Sequence, residues 1–406
     1  MRGKRTVEKG PFLALLACLC LVTYLGCQSD NAQGPHTTQT TVQAEATLQG
    51  EITSPGGSRF SEENVQRLDG AIAKEMEDKN LPGVMVGVWV PGQGQYVTAK
   101  GKANLDIGRE LQPEDPFRIG SVTKTFVATA ILQLVDEGKL SKSDPLSKWY
   151  PHFPKAEKIT IDDLLRMRSG IADYWDERTL KQYYEHPLED VSTQDTIKAA
   201  AAKADEFEPP NKKTKYTDVN YAILGEIVEK VSGKDLHEQI ASEILKPLGM
   251  NNTLYPVHDY LPGDLRGYGW DPKSKKFEDK TILNPAPPGG AGAMISTLPD
   301  LHKWAKVNYT GGGLLKLETQ KARLETQHLE GAPASARYGE GIAKLGKFWG
   351  HNGVIQGFST DMYYLPDKDA VIVIGVNRAD EDYESRSDDV LSVLAKILFP
   401  EYVKSG

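Results

Sequence analysis

Cysteine is missing from almost the whole chain. The sequence has 406 residues and three cysteines, Cys18, Cys20 and Cys27, all near its start. Everything after Cys27 therefore has no disulfide, no thiol nucleophile and no cysteine metal site. A body of this size can build its core without such staples. Histidine is scarce as well. The eight histidines include no close metal-ligand spacing such as HExxH, so neither a metal nor another cofactor is expected. Positive charge is outnumbered, 48 Lys and Arg against 56 Asp and Glu, for a net charge of -8. That balance argues against a nucleic-acid partner and against electrostatic docking on anionic lipid. No internal repeat is evident. Chemistry, if present, must come from hydroxyl, amine, imidazole, phenol or carboxylate groups.

The composition is otherwise that of a globular protein, 39% hydrophobic and 26% charged. The N-terminus reads as a targeting segment. Arg2, Lys4, Arg5 and Lys9 form a positive region. Pro11 to Leu25 is apolar and too short for a comfortable transmembrane helix. Leu25-Gly26-Cys27 then resembles a bacterial lipoprotein cleavage site, with Tyr24 where leucine is usual. The resemblance implies export, with Cys27 lipidated and anchoring the mature chain to a membrane. The competing reading is an ordinary signal peptide, or an uncleaved anchor, with an incidental Cys27. Residues 28–58, rich in Gln, Thr, Ser and Gly, read as a flexible tether.

Ordered structure is expected from about residue 59. Ser61 can cap a helix carrying Val65, Leu68, Ile72 and Met76 on one stripe. Val84 to Val90 and Tyr96 to Lys100 read as strands around a Pro91-Gly92-Gln93-Gly94 turn. Residues 141–284 are punctuated by prolines and read as a mostly helical lobe, clearest at Ile161 to Met167 and Tyr221 to Val231. After residue 285, Leu298 to Val307 reads as a helix. Phe348-Trp349, Phe358 to Leu365 and Ala370 to Val376 read as strands. Ser387 can cap a final helix ended by Pro400. The expected fold is α+β: an antiparallel sheet from residues 59–140 and 285–406, flanked by N- and C-terminal helices. The helical lobe is inserted, and an active site lies between the two lobes.

Gly120-Ser121-Val122-Thr123-Lys124 opens an apolar helical run that continues to Gly138. A serine hydroxyl is a poor nucleophile unless a base stands beside it. Residues three apart share a helix face, so Lys124 would stand next to Ser121. Serine-x-x-lysine is the nucleophile motif of penicillin-interacting serine enzymes. Alone, the pair reads more readily as a helix N-cap with a lysine on a solvated helix face.

Two later motifs sharpen the reading. Tyr216-Thr217-Asp218-Val219-Asn220-Tyr221 precedes a helical run, and His351-Asn352-Gly353 sits in a β-rich stretch. In this order and at these intervals, the three motifs resemble those of the serine β-lactamase and D-alanyl-D-alanine carboxypeptidase family. The likeness is greatest to members with histidine-x-glycine in the third motif. It runs from about Phe60 to Phe399 and includes Ile159-Thr160-Ile161-Asp162-Asp163-Leu164-Leu165, Ser169-Gly170-Ile171 and Gly350 to Gly357.

The resemblance implies roles. Ser121 attacks a carbonyl and becomes acylated. Lys124 and Tyr216 handle the protons, with Tyr216 held partly as phenolate by the neighbouring ammonium. The backbone N–H groups of Ser121 and Val354 form an oxyanion hole. Gly353 lets a strand pass close to the substrate. His351 lines the pocket and bonds the Tyr216 region or a substrate carboxylate, with Asn352 and Asp218 also at the substrate. Taken singly, Tyr216 would be a core phenol and His351 a structural histidine. Asp218 stands where asparagine is common. Ionised, it would pair with Lys124 and raise the lysine pKa; otherwise it points away and Asn220 supplies the amide. Arg337 and Lys344 are candidate partners for a terminal carboxylate. Lysine-threonine-glycine is absent from the third motif, which lowers the expectation of β-lactam hydrolysis. The leading function is a D-Ala-D-Ala carboxypeptidase-like hydrolase of cell-wall peptides. The alternatives are an esterase or D-amino-acid amidase, and a protein that binds β-lactams without turning them over.

Overall fold

The computed structural model describes residues 60–208, 210–380 and 384–403. The leader, Cys27 and the 28–58 tether lie outside the described residues.

Nine strands form one sheet. They are β1 (Gly83–Val90), β2 (Gly94–Asn104), β3 (Arg109–Glu110), β4 (Gln327–His328), β5 (Ala336–Tyr338), β6 (Ala343–Leu345), β7 (Phe348–Ile355), β8 (Phe358–Leu365) and β9 (Ala370–Val376). Their order is β3-β2-β1-β9-β8-β7-β6-β5-β4, and every pairing is antiparallel. The central strands carry continuous apolar runs because both their faces are covered. All of β9 is buried, and so is all of β8.

Helix α1 (Glu62–Lys79) begins at Ser61, whose hydroxyl accepts the Asn64 N–H at 3.3 Å. It buries Leu68 and Ile72 and packs beside α5 (Arg386–Leu398) on one face of the sheet. Ser387 does not cap α5, contrary to expectation. Ser385 occupies the cap position without a side-chain bond to the helix N–H groups, and the Ser387 N–H donates to Ser359 Oγ on β8 at 3.1 Å. Pro400 opens a further short helix, Pro400–Val403.

The opposite face carries α4 (Leu298–Thr310) and, next to it, the start of α2 (Thr123–Asp136). Helix α2 is buried on all sides from Thr123 to Leu132, as suits a helix wrapped by other elements. Trp304 of α4 stacks on Phe126 at 4.2 Å and donates to Thr125 Oγ1 at 2.7 Å. The far side of α2 meets α3 (Val219–Ser232) and the short helix Gly289–Gly292.

The inserted region holds short capped helices, among them Ile161–Leu165, Glu177–Glu185 and Thr193–Ala201, each started by a reciprocal capping box. It is not wholly helical. Tyr268–Asp271 and Lys276–Asp279 form a hairpin, closed by the Trp270–Phe277 ring pair at 4.8 Å. The Tyr268 N–H donates to the Asn377 carbonyl at 3.0 Å, so this hairpin is fastened to the end of the main sheet.

Candidate active site

The serine lies where the sheet meets the helical region. Gly120–Val122 form a 3₁₀ turn that runs straight into α2. Ser121 caps nothing: α2 has no side-chain cap bond at its start. The turn is pressed against β7. A Cβ added to Gly353 would lie 2.1 Å from the Ile119 carbonyl oxygen and 2.9 Å from the Ser121 nitrogen. A Cβ on Gly120 would lie 2.9 Å from the Val354 nitrogen. Glycine at 353 is therefore required by the contact between β7 and the serine turn. The Ser121 and Val354 amides lie along this one seam.

Lys124, one turn along, is fully buried. Its Nζ lies 2.8 Å from Ser121 Oγ, 2.7 Å from the Ala291 carbonyl oxygen and 2.7 Å from Asp218 Oδ1. Three partners satisfy an ammonium. They satisfy a neutral amine equally: two N–H groups donate to Ala291 and Asp218, and the lone pair accepts the Ser121 hydroxyl proton. Burial pushes the Lys124 pKa down, and the charges of Asp218 and Asp173 push back more weakly. Asp218 thus forms the ion pair and opposes the shift without reversing it. The other option for the second motif is excluded. Asn220 is buried on α3, accepting the Ser169 hydroxyl at 2.7 Å and donating to the Leu164 carbonyl at 3.1 Å.

Tyr216 brings its ring under Lys124, with Nζ 5.0 Å from the ring centroid. Its hydroxyl is buried and makes no full hydrogen bond among the described residues. Burial, then the Asp218 charge, hold the phenol well above its ordinary pKa, while nearby Ser121 pulls it down more weakly. The expected phenolate is therefore not the resting state. Desolvation and the Asp218 charge both favour the protonated phenol, a form able to donate a proton.

The third motif divides between the two faces of β7, since neighbouring strand residues point opposite ways. His351 is buried on the serine side, and its Nε2 lies 3.1 Å from the Tyr338 hydroxyl. Its Nδ1 meets the Asn352 carbonyl oxygen. Its ring stands 6.1 Å from that of Tyr216, so it reaches Tyr216 by packing. Burial, and then the charge of Lys124, push His351 down to about 3. It is a neutral ring and not a cation for a carboxylate. Asn352 is not a substrate ligand either. It turns to the opposite face and donates to Asp388 of α5 at 3.3 Å.

The candidate carboxylate binders are occupied elsewhere. Arg337 donates to Thr326 Oγ1 at 3.0 Å and to the Thr326 carbonyl at 2.6 Å. Lys344 Nζ lies 4.8 Å over the Trp349 ring. Three participants were not found from the sequence. Ala291 contributes only a carbonyl, which no side-chain pattern could betray. Tyr338 stood in a segment noted only for its flanking cations. Asp173 follows the Ser169-Gly170-Ile171 stretch, and its Oδ2 accepts the Asp218 N–H at 2.7 Å.

The chain matches the family described as Beta-lactamase over residues 68–395. PbpX of Bacillus subtilis (strain 168) is 27% identical over 387 residues, covering 93% of this chain and 92% of that one. Among solved structures, a D-stereospecific amidohydrolase from Streptomyces sp. superposes with a TM-score of 0.72 at 26% identity, covering 83% of this chain and 98% of that one. A penicillin binding protein from Bacillus halodurans gives a TM-score of 0.69 at 25% identity, covering 80% of this chain and 100% of that one. The match runs through both the sheet and the inserted helices, and the chain belongs to the Beta-lactamase family.

Proposed function

We propose that this Beta-lactamase-family serine hydrolase opens amide bonds of D-configured aminoacyl substrates through an acyl-Ser121 intermediate. The observation that carries this reading is the charge around the nucleophile. Asp218, 20% exposed, sits on Lys124 beside Ser121, and His351 is neutral. A terminal carboxylate, as on a D-Ala-D-Ala peptide, would meet like charge there. An aminoacyl amide bearing a free amine would meet opposite charge. The similarity to the Streptomyces amidohydrolase supports the same choice.

In the proposed reaction, Lys124 takes the Ser121 hydroxyl proton as the oxygen bonds to the substrate carbonyl. The Ser121 and Val354 N–H groups hold the developing oxyanion. Tyr216 gives its proton to the leaving nitrogen, the C–N bond breaks, and the amine departs. Lys124 passes the serine's proton to the Tyr216 oxygen. Water then attacks the acyl-serine, loses a proton to Lys124, and releases the acid as Ser121 regains its hydrogen. An aryl ester would follow the same course with an easier leaving group.

Carboxypeptidase action on cell-wall peptides is the second reading, supported by the likeness to the Bacillus halodurans penicillin binding protein. The two separate on rates. D-phenylalanine amide and an acyl-D-Ala-D-Ala peptide are offered to the wild type and to Ser121→Ala. Faster Ser121-dependent release of ammonia than of D-alanine supports the amidase. The reverse order supports the carboxypeptidase, and stoichiometric acylation by penicillin without turnover of either would favour a sensor. We further propose that the body works outside the cytoplasm, tethered through lipidated Cys27. Palmitate labelling of the wild type, lost in Cys27→Ser, is the expected result, and labelling that persists refutes it.

A further inference from the structure

A second carboxyl group reaches the nucleophile through Asp218. Asp173 lies in the loop after Gly170. Its Oδ2 accepts the Asp218 backbone N–H at 2.7 Å, and its Oδ1 accepts the Trp175 N–H at 3.4 Å. Asp218 is held at its backbone by one carboxyl group while its own carboxylate holds Lys124 at 2.7 Å. Lys124 in turn lies 2.8 Å from Ser121 Oγ. A linked path therefore runs from Asp173 through Asp218 and Lys124 to the nucleophile.

The groups facing Asp173 come from several elements. Lys124 on α2 and Asp218 before α3 act on it by charge, and Tyr174 is its buried neighbour in sequence. Tyr216 feels the charge of both carboxyl groups. Lys203 donates to the Asp173 and Tyr174 carbonyl oxygens at 2.8 and 3.1 Å, which fixes the loop by its backbone. Protonated or not, the Asp173 carboxyl group keeps an oxygen able to accept the Asp218 N–H. Its grip on Asp218 survives a change of charge, whereas its effect on Lys124 does not. Burial, then the Asp218 charge, raise Asp173 to about 7, so its charge changes near neutral pH.

We propose that Asp173 is a positioning residue for the hydrolytic reaction: it holds the Asp218 backbone so that the Asp218 carboxylate meets Lys124, and its own charge sets how readily Lys124 gives up its proton. The inference rests on the reading of Ser121 as the nucleophile.

The test is the pH profile of kcat/KM for D-phenylalanine p-nitroanilide in the wild type, Asp173→Asn, Asp173→Ala and Ser121→Ala. The Asp173→Asn variant keeps an acceptor oxygen and loses the charge. Its kcat/KM rises above that of the wild type near and above pH 7, where Asp173 is charged, the direction expected when a negative neighbour of a lysine is removed. Asp173→Ala also loses the acceptor, so Asp218 is free to drift. Its kcat falls by about 10- to 100-fold with KM much less affected, the scale of a misplacement of about 1 Å. A kcat/KM in Asp173→Asn that matches the wild type there, or falls below it, overturns the proposal. Asp173→Asn decides the matter even if Asp173→Ala fails to fold, which circular dichroism would reveal. Hydrolysis that survives in Ser121→Ala instead removes the nucleophile reading on which the inference stands.

Discussion

Replacing Asp361 by asparagine should stabilise this protein above neutral pH, although Asp361 lies deep in the sheet. Asp361 is on β8 and fully buried. Opposite it is Asp388, in the first turn of α5, which accepts the Asn352 amide at 3.3 and 3.4 Å. Burial, and then the nearness of Asp388, raise Asp361 far above the carboxylate range. Burial above all raises Asp388 to about 6 from an ordinary 3.8. Two such groups share a proton in the folded state. The unfolded chain releases its protons near pH 4, so the folded form binds more of them above that pH. Stability therefore falls as pH rises from about 4 through 6. Each proton that the folded pair keeps after the unfolded chain has released it costs about 1.4 kcal/mol of stability per pH unit, and because Asp361 is raised further than Asp388 the loss continues above pH 6. Urea midpoints measured from pH 4 to 8 should fall steeply for the wild type and much less for Asp361→Asn. The variant should be the more stable protein at pH 8. Parallel curves, or a variant weaker at every pH, would refute the shared proton.

Two further outcomes follow from the site. Gly353→Ala places a Cβ 2.1 Å from the Ile119 carbonyl oxygen and 2.9 Å from the Ser121 nitrogen. It should lower the unfolding free energy by about 1–3 kcal/mol and kcat/KM by at least about 100-fold, read by thermal melting and steady-state rates. His351 is neutral with a pKa near 3, so its ring resonances should not titrate between pH 5 and 8 in a nuclear magnetic resonance series. A midpoint near 6.5 would show that the ring is solvated.

Much of this could be read from the residues because the chemistry is local. Ser121 and Lys124 are three apart, and a helix start was enough to bring them together. Tyr216 and His351 came from motif order; the Tyr216 ring lies under the lysine, and the His351 ring stands 6.1 Å from that of Tyr216. The errors have physical causes. His351 and Asn352 could not both face one pocket, because strand neighbours alternate; Asn352 serves the carboxyl pair behind the sheet. The Tyr216 phenolate is disfavoured because burial and the negative charge of Asp218 both raise the phenol pKa. The hairpin at Tyr268–Asp279 lacks β-branched residues in both strands, so its pairing rests on Trp270, Phe277 and a bond to Asn377. Asp173 and Ala291 reach the lysine only through long-range folding, which no spacing reveals.

The proposed chemistry depends most on Ser121 being a working nucleophile. Intact-mass spectrometry of the body, residues 59–406, quenched during turnover of p-nitrophenyl acetate and followed by peptide mapping, tests that directly. A single acetyl group on the peptide containing Ser121, absent from Ser121→Ala and strongly reduced in Lys124→Met, is the predicted result. Turnover with the acetyl group on another residue, or undiminished turnover in Ser121→Ala, would contradict it.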